Sequence, residues 1–121
     1  MPSSEAPTAN LPATIRPMLA RLTRRPFDSP DHIYEPKWDG IRALAFADNG
    51  AIRIQTRNLN NVTSRFPELA SIPESLSSDG VVLDGEVVCL DEDGRPSFSA
   101  IQQRFGWGGT HRLAFRARIW T

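Results

Sequence analysis

The sequence predicts an α+β domain built on antiparallel sheet. Three observations point there. Two apolar stretches, Ile41 to Ala47 and Ala51 to Thr56, flank Asp48-Asn49-Gly50, and Asn-Gly accepts the positive φ angles of a tight hairpin turn. Val81 to Leu90 is a third run, rich in the β-branched residues that suit a pleated, half-buried surface. Between and after these strands lie two helical patterns, Thr63 to Leu76 and Ser97 to Phe105, and no segment repeats.

The remaining elements follow in chain order. Residues 1–14, rich in Pro, Ser, Ala and Thr, read as a flexible leader. Ile15 to Arg24 reads as a short turn or helix limited by Pro17 and Pro26. Ile33-Tyr34-Glu35 reads as a short strand that delivers Pro36-Lys37-Trp38-Asp39-Gly40 as a turn. On the second hairpin strand Arg53, Gln55 and Arg57 share one face, and Ile52 and Ile54 share the other. A helix over 63–76 requires Pro67 in its first turn and meets Pro73 near its end. Asp91-Glu92-Asp93-Gly94 closes the long strand, and the last helix stops at Gly106. Residues 112–120 alternate, with Leu113, Phe115, Ala117 and Ile119 opposite Arg112, Arg116 and Arg118, which predicts an edge strand.

Composition sets the class. With 121 residues, 40% hydrophobic and 23% charged, the chain suits one small soluble domain. No apolar run approaches the roughly 20 residues of a membrane span, and the start lacks the basic and apolar regions of a signal peptide. The single cysteine, Cys89, suits a reducing cytoplasm, and its neighbours Val87, Val88 and Leu90 make it a packed thiol. The net charge of zero hides a segregation: +2 over residues 1–30, −7 over 31–93 and +5 over 94–121. The basic end reads first as solvated arginine in a chain with thirteen arginines and one lysine, and second as a surface for phosphate backbone. His32 reads as a surface or turn residue, and with His111 alone it makes no metal site.

Two constellations bear chemistry. Lys37, the sole lysine, stands among Glu35, Asp39 and Arg42 between Pro36 and Gly40. A lysine becomes a nucleophile once desolvation or neighbouring cations remove its proton, and Arg42 and Arg57 are candidates for that pressure or for clamping phosphate oxygens. Gly40 permits close approach of backbone to a ligand. The plainer reading is an exposed lysine paired with its acidic neighbours. The second constellation is Val82-Leu83-Asp84-Gly85-Glu86-Val87-Val88, where Asp84 and Glu86 share one face of a strand. Their partner is a hard cation, a ribose hydroxyl, or water on a solvated second face.

Taken together, Arg16-Pro17-Met18-Leu19-Ala20, Glu35-Pro36-Lys37-Trp38-Asp39-Gly40-Ile41-Arg42, Thr56-Arg57-Asn58, Phe66-Pro67-Glu68-Leu69 and Leu83-Asp84-Gly85-Glu86-Val87-Val88 resemble the ATP-dependent DNA ligases, in order and spacing. The bacterial end-joining ligase domains look most alike. The resemblance covers residues 15–106 and implies an incomplete antiparallel-sheet nucleotidyltransferase (adenylation) domain. It places Lys37 on the lysine that attacks the α-phosphorus of ATP and Glu35 beside the adenine. Arg42 falls near the ribose and phosphate, and Arg57 falls on an arginine that contacts nucleotide or DNA. Glu86 falls on the acid that binds the ribose or organises the metal. Asp39 is structural within its turn, and Leu59 stands where the family usually has glycine. ATP and Mg²⁺ or Mn²⁺ are the implied cofactors, with nicked double-stranded DNA as substrate and end-joining repair proteins as possible partners; nothing in the sequence sets the oligomeric state.

Family members continue with a strand bearing an adenine-stacking aromatic, two further motifs and an OB-fold domain. None of these follows Arg104, and residues 107–121 form a divergent arginine-rich tail, so the chain reads as a truncated, frame-shifted or deliberately cut ligase. Two alternatives stand beside nick sealing in DNA repair: an RNA ligase or capping-type nucleotidyltransferase, and a non-catalytic remnant that binds nucleic acid or a partner.

Overall fold

In the computed structural model, which describes residues 11–106 and 112–118, the Asn49-Gly50 turn joins β1 (Ile41–Asp48) to β2 (Ala51–Thr56) as an antiparallel hairpin. Both turn residues take the left-handed backbone that Asn and Gly tolerate, at φ 53° and 74°. β3 (Val81–Leu90) pairs with the other edge of β1, and β4 (Arg112–Arg118) pairs with β3. The sheet order is β2-β1-β3-β4, all antiparallel, so the predicted fold class holds, with β4 at one edge. Trp107 to His111 and residues 119–121 lie outside the described residues.

Alternation along the paired strands makes two unlike faces. Ala43 and Ala45 of β1, Ile54 of β2, and Val87 and Cys89 of β3 are fully buried on one face. Phe66, Leu69, Ala100 and Ile101 cover them from the helical segments. The last two belong to α1 (Phe98–Gly106). Ser97 caps this helix: its Oγ accepts the Ala100 amide at 3.3 Å, and its own amide donates to the Cys89 carbonyl at 2.8 Å. Leu113 and Phe115 of β4 pack at the edge of the same core, on the face their alternation predicts.

Three expected elements differ. The helix over 63–76 is two 3₁₀ stretches, Thr63–Arg65 and Pro67–Ser75. Pro67 and Pro73 lack amide donors, so an unbroken i to i−4 ladder has no route through the segment. Residues 33–35 form no strand, and 15–24 form no helix. A three-residue strand needs a partner, and residues 33–35 pair with none of the strands among the described residues. Ile33 and Tyr34 are exposed instead, with the Tyr34 hydroxyl donating to the Phe27 carbonyl at 3.0 Å. His32 is exposed, as predicted, against the edge of the Phe27 ring at 4.8 Å. No helix among the described residues is long and apolar enough to cross a membrane.

Candidate functional site

The second face of the sheet carries the charges. On β2, Arg53 and the buried Gln55 point there, as their alternation predicts, and they are used to hold backbone. Arg53 donates to the carbonyls of Ala13 at 2.6 Å and Pro12 at 3.1 Å. The Gln55 amide accepts from the Ile15 amide at 3.2 Å and donates to its carbonyl at 2.8 Å. Arg42 adds a bond to the Met18 carbonyl at 3.0 Å. An extended strap over residues 12–18 therefore crosses this face, and the end of the expected leader is tied down by it. Residues 1–10 of that leader lie outside the described residues. The sequence signal for the strap is a glutamine between two arginines on an otherwise apolar strand; its acceptor, forty residues away, is not legible locally.

Register assembles the acids and bases. Glu86 on β3 stands opposite Arg42 on β1 and opposite Arg116 on β4. Arg42 grips Asp84 with both ends of its fork, Nε to Oδ1 and Nη2 to Oδ2, each at 2.6 Å. This bidentate pair, chiefly through the Asp84 hydrogen bond, lifts the Arg42 guanidinium above its ordinary pKa against partial desolvation. Asp84 thus has its partner inside the chain. Sequence patterning put Asp84 and Glu86 on one face but lacked the register that delivers Arg42 to them.

An open cleft of about 540 Å³ lies at the end of the sheet. Arg42, Thr56, Arg57, Asn58, Asn60 and Glu86 supply its polar lining, and Gly40, Ile41, Val62 and Phe98 its other walls. Arg57 and Asn58 sit on the loop that ends β2. That loop is closed by the Thr56 amide on the Asn60 carbonyl at 2.9 Å and the Leu59 amide on the Thr56 carbonyl at 3.0 Å. Leu59 adopts φ 68°, a conformation that favours glycine, which accounts for the glycine expected at this position.

Three of the five predicted site residues, Arg42, Arg57 and Glu86, therefore share one cleft. Lys37 and Glu35 are exposed on the irregular segment leading into β1 and do not line it. The cleft wall begins at Gly40, three residues beyond Lys37, so at about 3.5 Å per extended residue the lysine backbone lies within about 10 Å of it. Gly40 lines the cleft and also meets a packing demand that the sequence did not suggest. A Cβ there would meet the Val87 carbonyl oxygen at 2.2 Å and the Val88 side chain at 2.7 Å. The close approach is to β3, and it fixes where the Lys37 turn enters the sheet.

Two further features bear on chemistry. Among the described residues no cluster of three His, Cys, Asp or Glu side chains converges on a metal site. With both Asp84 oxygens taken by Arg42, Glu86 would depend on phosphate oxygens and water to complete a shell around Mg²⁺. Cys89 is buried, and desolvation pushes its thiol pKa upward, so it stays a packed, protonated group.

Comparison with known proteins gives concordant results. The family model described as the ATP dependent DNA ligase domain matches residues 17–111. The multifunctional non-homologous end joining DNA repair protein LigD of Mycobacterium tuberculosis is 49% identical over 71 residues, which are 59% of this chain and 9% of that protein. LigD of Pseudomonas aeruginosa is 40% identical over 105 residues, 87% of this chain and 12% of that one. The SPbeta prophage-derived DNA ligase-like protein LigB of Bacillus subtilis is 41% identical over 91 residues, 75% of this chain and 33% of that one. The chain thus spans a third or less of these curated relatives. The crystal structure of the M. tuberculosis LigD ligase domain superposes with TM-score 0.61 at 45% identity, covering 69% of this chain and 27% of that chain. A mycobacterial DNA ligase D solved with ATP and MES gives TM-score 0.60 at 44% identity, with the same coverage.

Proposed function

Because this chain belongs to the ATP-dependent DNA ligase domain family, we propose that Lys37 attacks the α-phosphorus of ATP at the mouth of the Arg42–Arg57–Glu86 cleft. The observation that carries this reading is the meeting of those three residues, distant in sequence, beside the turn that holds the lysine. A cleft of about 540 Å³ matches the usual size range of small-molecule sites.

In the proposed step the unprotonated Lys37 amine forms an N–P bond and the bond to the pyrophosphate oxygen breaks. Pyrophosphate leaves, and AMP remains on the lysine. Arg57, exposed at the tip of its loop, is the better placed of the two arginines to take phosphate charge. Arg42 is already committed to Asp84 and to Met18, so its part is to hold the floor of the cleft. Glu86 offers a carboxylate for a ribose hydroxyl or a hydrated Mg²⁺, and Glu35, outside the cleft wall, is proposed as the neighbour of the adenine. Mg²⁺, when bound with ATP, supplies neutralisation of phosphate charge. Relatives named for non-homologous end joining support nicked or broken DNA as the acceptor of AMP. Transfer to a 5′-phosphate and closure by a 3′-hydroxyl draw on parts of the ligase beyond the 27% of the solved domain matched here.

Incubation with [α-³²P]ATP and Mg²⁺, followed by denaturing electrophoresis, tests the first step. The expected result is acid-labile label on the wild type, none on Lys37→Ala, and no sealing of a nicked duplex by this chain alone. An unlabelled wild type would reject the reading. It would favour instead a non-catalytic nucleic-acid- or partner-binding module, which the exposure of Lys37 outside the cleft wall also fits.

A further inference from the structure

Strand β4 lies outside the family match, which ends at residue 111, yet it reaches the lysine turn. Its Arg116 guanidinium sits over the Trp38 ring, 4.9 Å from the centroid. Trp38 directly follows Lys37. Two independent features fix Arg116 at this place. The β3–β4 register sets it opposite Glu86, so the Arg42, Glu86 and Arg116 positions form one row across three strands. Gly85 then lets β4 approach closely: a Cβ at Gly85 would meet the Arg116 carbonyl oxygen at 2.4 Å and the Ala117 Cα at 2.8 Å. Among the described residues before Gly40 none belongs to a helix or strand, so this contact restrains the Lys37 turn from the tail side.

We propose that Arg116 is a positioning residue for Lys37, acting through the face of Trp38, and that the tail strand is part of the working site. The inference rests on the adenylation reading given above. A cation over an indole face is attracted by the ring quadrupole, and the planar guanidinium stacks where an ammonium only points. Holding Trp38 against β4 limits the directions in which the preceding lysine can project. Removing the contact lowers the fraction of time the amine is in line with the α-phosphorus. The expected effect is on the rate and not on half-saturating ATP; a change confined to half-saturating ATP would assign Arg116 to its cross-strand neighbour Glu86 instead and overturn the proposal.

The test uses two readouts in a Trp107→Phe, Trp120→Phe background, where Trp38 is the sole indole. The first is acrylamide quenching of Trp38, and the second is the rate of lysyl-AMP formation against ATP concentration. Arg116→Ala is expected to raise the quenching constant and to slow labelling about three- to five-fold at unchanged half-saturating ATP, the size of one exposed cation–π contact. Arg116→Lys should recover part of both. In a Trp38→Ala background, Arg116→Ala should have no further effect on labelling. Circular dichroism on each variant confirms that the sheet is retained; Trp38→Phe, which keeps a ring under Arg116, should label faster than Trp38→Ala. Labelling by Arg116→Ala at the wild-type rate overturns the proposal, with or without a change in quenching. A wild type that takes no label overturns the adenylation reading, and this proposal with it.

Discussion

One face of the sheet is small and branched; the other sets charged and backbone-bonded side chains among the buried Leu44, Phe46 and Val88. Ala43, Ala45, Ile54, Val87 and Cys89 form one apolar cluster with Phe66, Leu69, Ala100 and Ile101 of the helical side. On the opposite face Arg42, Arg53 and Gln55 hook the strap over residues 12–18, while Asp84 and Glu86 line up against arginine. The difference separates labour. The apolar face supplies stability and can be read from alternation alone. The polar face spends its side chains on fixing distant segments around a cleft, and its contacts depend on register.

Substitutions should divide along this line. The largest effect belongs to the apolar face: Ile54→Ala, at a fully buried position, should cost about 3 kcal/mol in urea unfolding and leave the remaining fold less cooperative. Gly40→Ala comes next, since its methyl would sit against the Val87 carbonyl; a loss of about 2 kcal/mol is expected, with labelling by ATP reduced because the Lys37 turn is displaced. On the polar face Arg42→Ala leaves the half-buried Asp84 without its partner and frees Met18. It should cost about 1–2 kcal/mol and expose residues 12–18 to faster proteolysis, whereas Arg42→Lys should restore only part.

The smallest effect is electrostatic and joins the two helical segments. Arg104 donates to Glu68 at 2.6 Å, and this hydrogen bond holds the Glu68 carboxyl below its usual pKa. A depressed carboxylate pKa contributes stability that is present above the unfolded value and is lost as pH falls through the folded value. Glu68 is 42% exposed, so screening limits the pair to at most about half a kcal/mol. Glu68→Gln should therefore lower the urea midpoint slightly at pH 7, and the gap to wild type should close on acidification through the carboxylate range.

What the sequence revealed follows the same division. The β1–β2 hairpin was legible because Asn49 and Gly50 announce their backbone conformation, and β3 because its β-branched run is unbroken. α1 was legible through Ser97 and Gly106 at its ends. The motif order around Lys37, Arg57 and Glu86 was enough to place the chain in its family. The 3₁₀ character of 63–75 was hidden because apolar spacing does not distinguish it from an α-helix; the two prolines decide it. The Arg42–Asp84 fork, the Gln55 anchor and the Arg116–Trp38 stack were hidden for another reason. Each joins residues that only strand pairing or long-range packing brings together. The close approach of β3 to Gly40 was hidden likewise.

The central claim is that the amine of Lys37 becomes bonded to AMP. Peptide mapping by mass spectrometry after incubation with ATP and Mg²⁺ tests it most directly. The account predicts one AMP per chain, on the peptide containing Lys37 and absent from Lys37→Ala. Adenylation of any other residue, or none after prolonged incubation with excess ATP, would contradict it.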